Sequence, residues 1–361
     1  MKSISTMIIG MLLAFVSCEK PEYTKDEDHI RATESKYLTT KVADGNHTLQ
    51  AELVTQAKRL LPRSRHTSVV FDNRMWIIGG SVNGNPRNDV LWSSNGEVWT
   101  TVTSRNTFPP RKDHASVVFN GRMWIFGGRN DSKAYALNDI WSSPNGINWT
   151  LENEDADFNP RYSHTVTEFN GSLWLIGGAT TEAYQSPAVC CGFNDVWRSD
   201  DGVNWTKVYD TSWGNNMVFL HATATVKGKL VVVGGDYFGG GHAIRYSQNG
   251  DNWTGINVNP EFLGHQVENI AGELWVTAGK KVIEGQPDPI TDEIWYTRNG
   301  MDWSEVSVST NFPAREEHTS LFFNDRLWII QGIGSKGDLS DVWSFSSPEF
   351  SDGIGVITIQ Q

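Results

Sequence analysis

From Pro109 to Gly128 the chain reads PPRKDHASVVFNGRMWIFGG. Two apolar runs flank Asn120-Gly121, and the stretch ends in a glycine pair. Asn-Gly between such runs is a strong hairpin signal, because both turn residues must accept positive φ. Near-copies stand at LPRSRHTSVVFDNRMWIIGG from Leu61 and NPRYSHTVTEFNGSLWLIGG from Asn159. His114 is therefore either a chemical group or a part of how a repeated unit is built.

The repeat organises most of the chain. His66, His114, His164, His221, His265 and His318 each begin a unit, at intervals of 48, 50, 57, 44 and 53 residues. Each His leads to an apolar run ending in Gly: MWIIGG at 75, MWIFGG at 123, LWLIGG at 173, LVVVGG at 230, LWVTAG at 274 and LWIIQG at 327. A third marker follows, as in NDVLW at 88, NDIW at 138, NDVW at 194, TDEIW at 291 and SDVW at 340, with AIRY at 243 in its place. A fourth closes most units, as in NGEVWT, NGINWT, DGVNWT, NGDNWT and NGMDWS. The runs are too short for helices and rich in β-branched and aromatic residues, so each unit reads as four short strands. Strands one and two, and strands three and four, are joined by tight turns.

A four-stranded unit of about 50 residues, repeated six times, predicts an all-β fold: a six-bladed β-propeller with four antiparallel strands per blade. The glycine pair, the Asp-Val-Trp after it and the later Trp resemble the kelch repeat over residues 61 to 345. The expected fold is a kelch-type propeller with blades at about 61–105, 109–155, 159–209, 216–257, 262–308 and 313–361. SDDGVNW at 199 is similar to the Asp-box of sialidase-type propellers, but is one residue short and reads as the same hairpin turn. The last blade needs an outer strand. DGIGVITIQ from Asp352 copies the spacing of DGVNWTKVY and is the preferred candidate; QAELVT from Gln50 is the competitor.

The chain has 361 residues and a net charge of −12, which argues against a nucleic-acid partner, since phosphate binding needs clustered Lys and Arg. Lys2 and the apolar run Met7–Val16 read as an export signal too short to span a membrane. It ends FVSC, which resembles a bacterial lipoprotein signal over residues 1–17, with Cys18 as the lipid anchor; Phe15 stands where such boxes carry Leu. An ordinary secretory signal is the alternative. Residues 18–45 are polar and charged and read as a flexible tether, with 46–361 as the propeller. The acidic residues soon after Cys18 resemble a surface-export signal, so the expected location is the bacterial outer membrane or cell surface. Cys190 and Cys191 are adjacent and are either a vicinal disulfide or two free thiols.

Alternating strand directions put the short turns on one face and every long loop on the other, and function normally sits on loops held by a rigid scaffold. The long-loop face is the expected binding face. Arg63, Arg111, Arg161 and Arg315 begin strands beside it. They could fork onto carboxylates of sialic or uronic acids, or brace the blades. The His residues carry the same choice, and one occurrence per blade favours scaffold. Val218 and Phe262 replace Arg in units four and five, where specificity could enter. Tyr184, Trp213, Tyr237 and His242 are loop residues able to stack on a sugar. Galactose oxidase has kelch blades but needs a copper site absent here, and no metal or cofactor is expected. Sialic-acid mutarotase, an exported kelch protein, is a closer resemblance; it implies an acid–base pair, for which Glu182, Glu268 and Arg245 are candidates without a motif. The expected function is binding of a glycan or protein ligand by a monomer without catalysis; the alternative is a sugar mutarotase.

Overall fold

The computed structural model describes residues 47–55, 60–102, 107–131, 134–180, 192–209, 218–235, 243–257, 262–281 and 289–352. Six antiparallel sheets follow one another along the chain. The innermost strands are Thr67–Phe71, Ala115–Phe119, Thr165–Phe169, Ala222–Val226, Gln266–Ile270 and Thr319–Phe323, and each neighbours the next in a closed cycle, with the last beside the first. The fold is the expected six-bladed propeller.

Sequence explains the strands directly. Asn120 and Gly121 take φ of 49° and 69°, so Phe119 pairs with Arg122 across a two-residue turn. Asp72 and Asn73 do the same, at 50° and 53°. The second strands, such as Arg74–Ile78 and Ser172–Ile176, are buried on both sides, which is why they read as continuous apolar runs. The core lies between blades. One apolar cluster fills each of the six interfaces; Trp76 and Ile78 of the first blade, for example, pack on Met123, Ile125 and Trp149 of the second. Burial of a large side chain there stabilises by about 2–3 kcal/mol.

Ring closure corrects the preferred reading. The outer strand of the sixth sheet is Thr48–Thr55, paired antiparallel with Gly337–Ser346 through Gln50↔Ser346 and Glu52↔Ser344. Thr48 and Leu49 also pair in parallel with Ser307 and Val308 of the fifth blade's end. The edge that the segment from Asp352 would have used is thus occupied. Pro348–Asp352 instead forms one short helix, with Phe350 against Trp275 and Phe322. Residues 353–361 lie outside the described residues. One blade therefore combines strands from both ends of the repeat region, so the ring is shut by hydrogen bonds.

The turns between third and fourth strands dock on the neighbouring blade. A Cβ at Gly146 would lie 2.3 Å from the Trp76 ring, and one at Gly250 would lie 2.0 Å from Trp174. At Gly300 nothing lies within 4 Å, because Val231 stands where the other blades put the Trp. Both Gly146 and Gly300 have positive φ, 72° and 81°. Gly300→Ala should therefore cost only the left-handed penalty, about 1–2 kcal/mol. Gly146→Ala should cost about 1–3 kcal/mol more through overpacking. Equal losses in urea denaturation would refute the docking role of the glycine.

Candidate functional site

The four repeated arginines are built into the sheets. Arg111 donates from Nη1 to Gly127 O and forks onto Asp139 at 2.8 and 2.7 Å. Arg161 does the same with Gly177 O and Asp195, and Arg315 with Gln331 O and Asp341. Arg63 bonds Gly79 O and Asp89. The side chains are 0–2% exposed. Burial opposes ionisation of Asp89 and Asp195, but the guanidiniums outweigh it and hold both carboxyls below the usual range. These arginines latch the start of the first strand to the start of the third, and a ligand carboxylate cannot reach them. Where the Arg is missing, its place is apolar. Val218 is fully buried and packs on Ile176 and Val196, while Phe262 packs on Trp303. Both side chains are buried in the packing between blades.

The histidines are also scaffold. Each is buried, and each pKa is lowered first by that burial, to about 3 for His221 and His265 and well below the ordinary value for the other four. His114 Nε2 lies 2.9 Å from Thr67 Oγ1 of the preceding blade, as His66 does from Thr319. The glycine pair makes room: a Cβ at Gly80 would strike His66 Cβ at 2.5 Å, and one at Gly79 would meet the His114 ring at 3.0 Å.

The position just before each His is different. Arg65, Asp113, Ser163, Leu220, Gly264 and Glu317 all take left-handed backbone, with φ of 56°, 54°, 52°, 55°, 60° and 52°. They form a belt around the axis. Asp113 N–H donates to Arg65 O at 3.0 Å, Ser163 N–H to Asp113 O at 2.8 Å, Gly264 N–H to Leu220 O at 3.0 Å and Arg65 N–H to Glu317 O at 3.1 Å. The six residues stand at the mouth of an axial cavity of about 240 Å³ that continues down between the inner strands to Ser68, Ser116, Thr167, Thr223, Val267 and Ser320. They stand where the inner strands begin, on the side of the long loops, as expected. Left-handed conformation costs a non-glycine residue about 1 kcal/mol or more, and five of the six accept that cost.

Charge is concentrated on one side of this mouth. Arg65 pairs with Glu317 through Nε at 2.5 Å and Nη2 at 3.1 Å. Arg129, next after the glycine pair at the end of the strand Arg122–Asn130, donates to Asp113 at 2.6 Å and lies 4.9 Å over the Tyr162 ring. Burial raises Asp113 above the usual carboxylate range, against the pull of Arg129 and Arg65. On the opposite side the belt residues themselves, Ser163, Leu220 and Gly264, are uncharged. On the inner strand Gln266–Ile270, Glu268 accepts a bond from Ser320 Oγ of the next blade at 2.8 Å, and burial pushes its pKa up to about 7.

Of the other candidates, Arg245 is buried on the third strand of the fourth blade, paired in register with Val232 and Gly255. Cys18, Glu182, Tyr184, Cys190, Cys191, Trp213, Tyr237 and His242 lie outside the described residues. The belt residues and Arg129 escaped the sequence reading. Their signal was variation: six different residues stand at one position of an otherwise repeated unit.

A family model, the KLHDC2/KLHL20/DRC7 Kelch-repeats domain, matches residues 65–260. The chain belongs to the kelch-repeat family. No curated protein matches it. Among solved structures, that of YjhT is similar to this kelch protein with a TM-score of 0.60 and 17% identity, covering 79% of this chain and 94% of the other. That likeness is one of fold.

Two pH effects of opposite sign follow for the kelch scaffold. The buried histidines stay neutral in the folded state while the unfolded chain takes up protons below about pH 6.5. Their contribution is complete above that pH and is lost as pH falls toward 3, at up to about 1.4 kcal/mol per unit for each His. Melting temperature should drop steeply between pH 6.5 and 5; a flat profile would contradict neutral burial. Glu268, raised to about 7, favours the fold when protonated and loses that contribution as pH rises through 7. Glu268→Gln should raise the melting temperature at pH 8 and leave it unchanged at pH 4.

Proposed function

We propose that this kelch propeller is an exported, lipid-anchored protein that holds a glycan at its axial mouth and performs no chemistry on it. The observation that carries this reading is the cavity of about 240 Å³, whose rim changes from blade to blade while everything around it repeats. A recess of this size suits a single sugar ring better than a drug-sized ligand or a flat protein surface. The charged and hydroxyl groups converging on it, Arg65, Asp113, Ser163 and Glu317, are of the kind that reads sugar hydroxyls. Cys18, at the head of the polar segment 18–45, is the proposed anchor to the bacterial outer membrane, with the propeller facing outward.

A second reading, sugar mutarotation, is supported by Glu268. A carboxyl with a pKa of about 7, bonded to the cavity-lining Ser320, is suited to proton transfer near neutral pH. The two readings separate in one pair of measurements on the mature protein. A glycan array should give saturable binding that is weakened at least tenfold by Ser163→Trp, which fills the mouth. Anomer exchange followed by NMR should not accelerate for any sugar bound. Acceleration abolished by Glu268→Gln would establish the enzyme instead. Independently, Cys18→Ser should move the protein from the membrane fraction to the soluble one; retention in the membrane would remove the lipid anchor.

A further inference from the structure

Among the described residues, the charges at the mouth are matched. Two guanidiniums, Arg65 and Arg129, face two carboxylates, Glu317 and Asp113, in a chain of ion pairs. Among the described residues of the rim, Lys112 pairs with Asp131 at 2.7 Å and Lys280 with Glu316 at 2.8 Å. The six histidines behind the belt are neutral by burial. An incoming carboxylate would have to displace Glu317 or Asp113 from its arginine. Hydroxyl groups need not: a carboxylate keeps spare lone pairs and a guanidinium spare N–H groups after pairing, and a sugar hydroxyl can use both at once.

Three further features fit the same ligand. Ser68 Oγ and Ser116 Oγ, below the charged side, are enclosed without a protein hydrogen-bond partner. Leu220, across the mouth, offers an apolar surface to the C–H face of a pyranose ring. The left-handed belt accepts glycine at Gly264, yet keeps side chains at its other five positions despite their strain. Strain retained where glycine would relieve it points to use of the side chains.

We propose that the mouth takes an uncharged pyranose, its hydroxyls bridging the Arg65–Glu317 and Arg129–Asp113 pairs and its apolar face on Leu220, and discriminates against acidic sugars. This rests on the reading of the mouth as a glycan site. The test is calorimetry on the mature protein with glucose, galactose and N-acetylglucosamine, free and as methyl glycosides, beside glucuronic, galacturonic and sialic acids. At least one neutral pyranose should bind at least tenfold tighter than its uronic acid. Binding of both forms, free and glycoside, would place the recognised hydroxyls away from C1; binding of the glycoside alone would identify a glycan end as the source, and either result supports the proposal. Glu317→Gln should weaken the neutral sugar and strengthen the acid, because Arg65 is released. Leu220→Gly relieves the strained backbone, so it should raise the melting temperature while weakening the neutral sugar several-fold. An acidic sugar bound more tightly by the unaltered protein, and lost on Arg65→Gln, would overturn the neutral-ligand inference and keep the mouth as the site. Sugar binding that neither Glu317→Gln nor Leu220→Gly changes, or no binding at all, would overturn both.

Discussion

A buried guanidinium forked onto an aspartate holds each regular blade in register. Arg111 ties its own first strand to its third through Asp139, and its backbone carbonyl accepts the N–H of Gly80 in the preceding blade. One residue thus fixes both the inside of a blade and its seam with the next. Such a pair is not a large net source of stability, because two charges must be desolvated, but breaking one half leaves an uncompensated charge and costs about 3–5 kcal/mol. The fourth blade shows the permitted escape. Val218 replaces the Arg, and Ala243 occupies the register position of the Asp, so both halves go together. In the fifth blade Phe262 replaces the Arg, and the remaining Glu293 pairs with Lys281 and Trp295 Nε1 instead.

The glycine pair and the His complete this frame. The second glycine passes against its own blade's His, and the first against the next blade's His ring. The arrangement sets the inner strands close together and starts each of them in a left-handed residue. The backbone belt consumes the N–H and C=O groups there, so only side chains remain to define the mouth. Six seams of nearly constant construction carry six different residues, and this division between fixed backbone and free side chain lets one scaffold present a chemically uneven opening.

Repetition makes the blades legible in the sequence itself. Asn-Gly and Asp-Gly turns, doubly buried apolar runs and the Trp spacing each dictate local geometry, and all of them agree. Repetition leaves the role of its most regular polar residues open. Arg63, Arg111, Arg161 and Arg315 could bind carboxylates or brace the blades, and their aspartates lie 26 to 34 residues away in sequence and meet them only when the third strand returns. The closing strand was undecided for a similar reason. Both chain ends carry suitable patterns, and the choice depends on which one reaches the free edge of Gly337–Ser346.

Local sequence determined the blades, their number, the hairpin turns and the face on which the long loops lie, because each depends on residues within about 50 positions of one another. Tertiary structure alone decided which charges are spent and which remain. Arg111 and Arg65 are indistinguishable as residue types, yet one is sealed within a sheet and the other stands at the mouth with Glu317, 252 residues away. Burial and pairing across the ring set that difference, and neither is a property of a chain segment taken by itself.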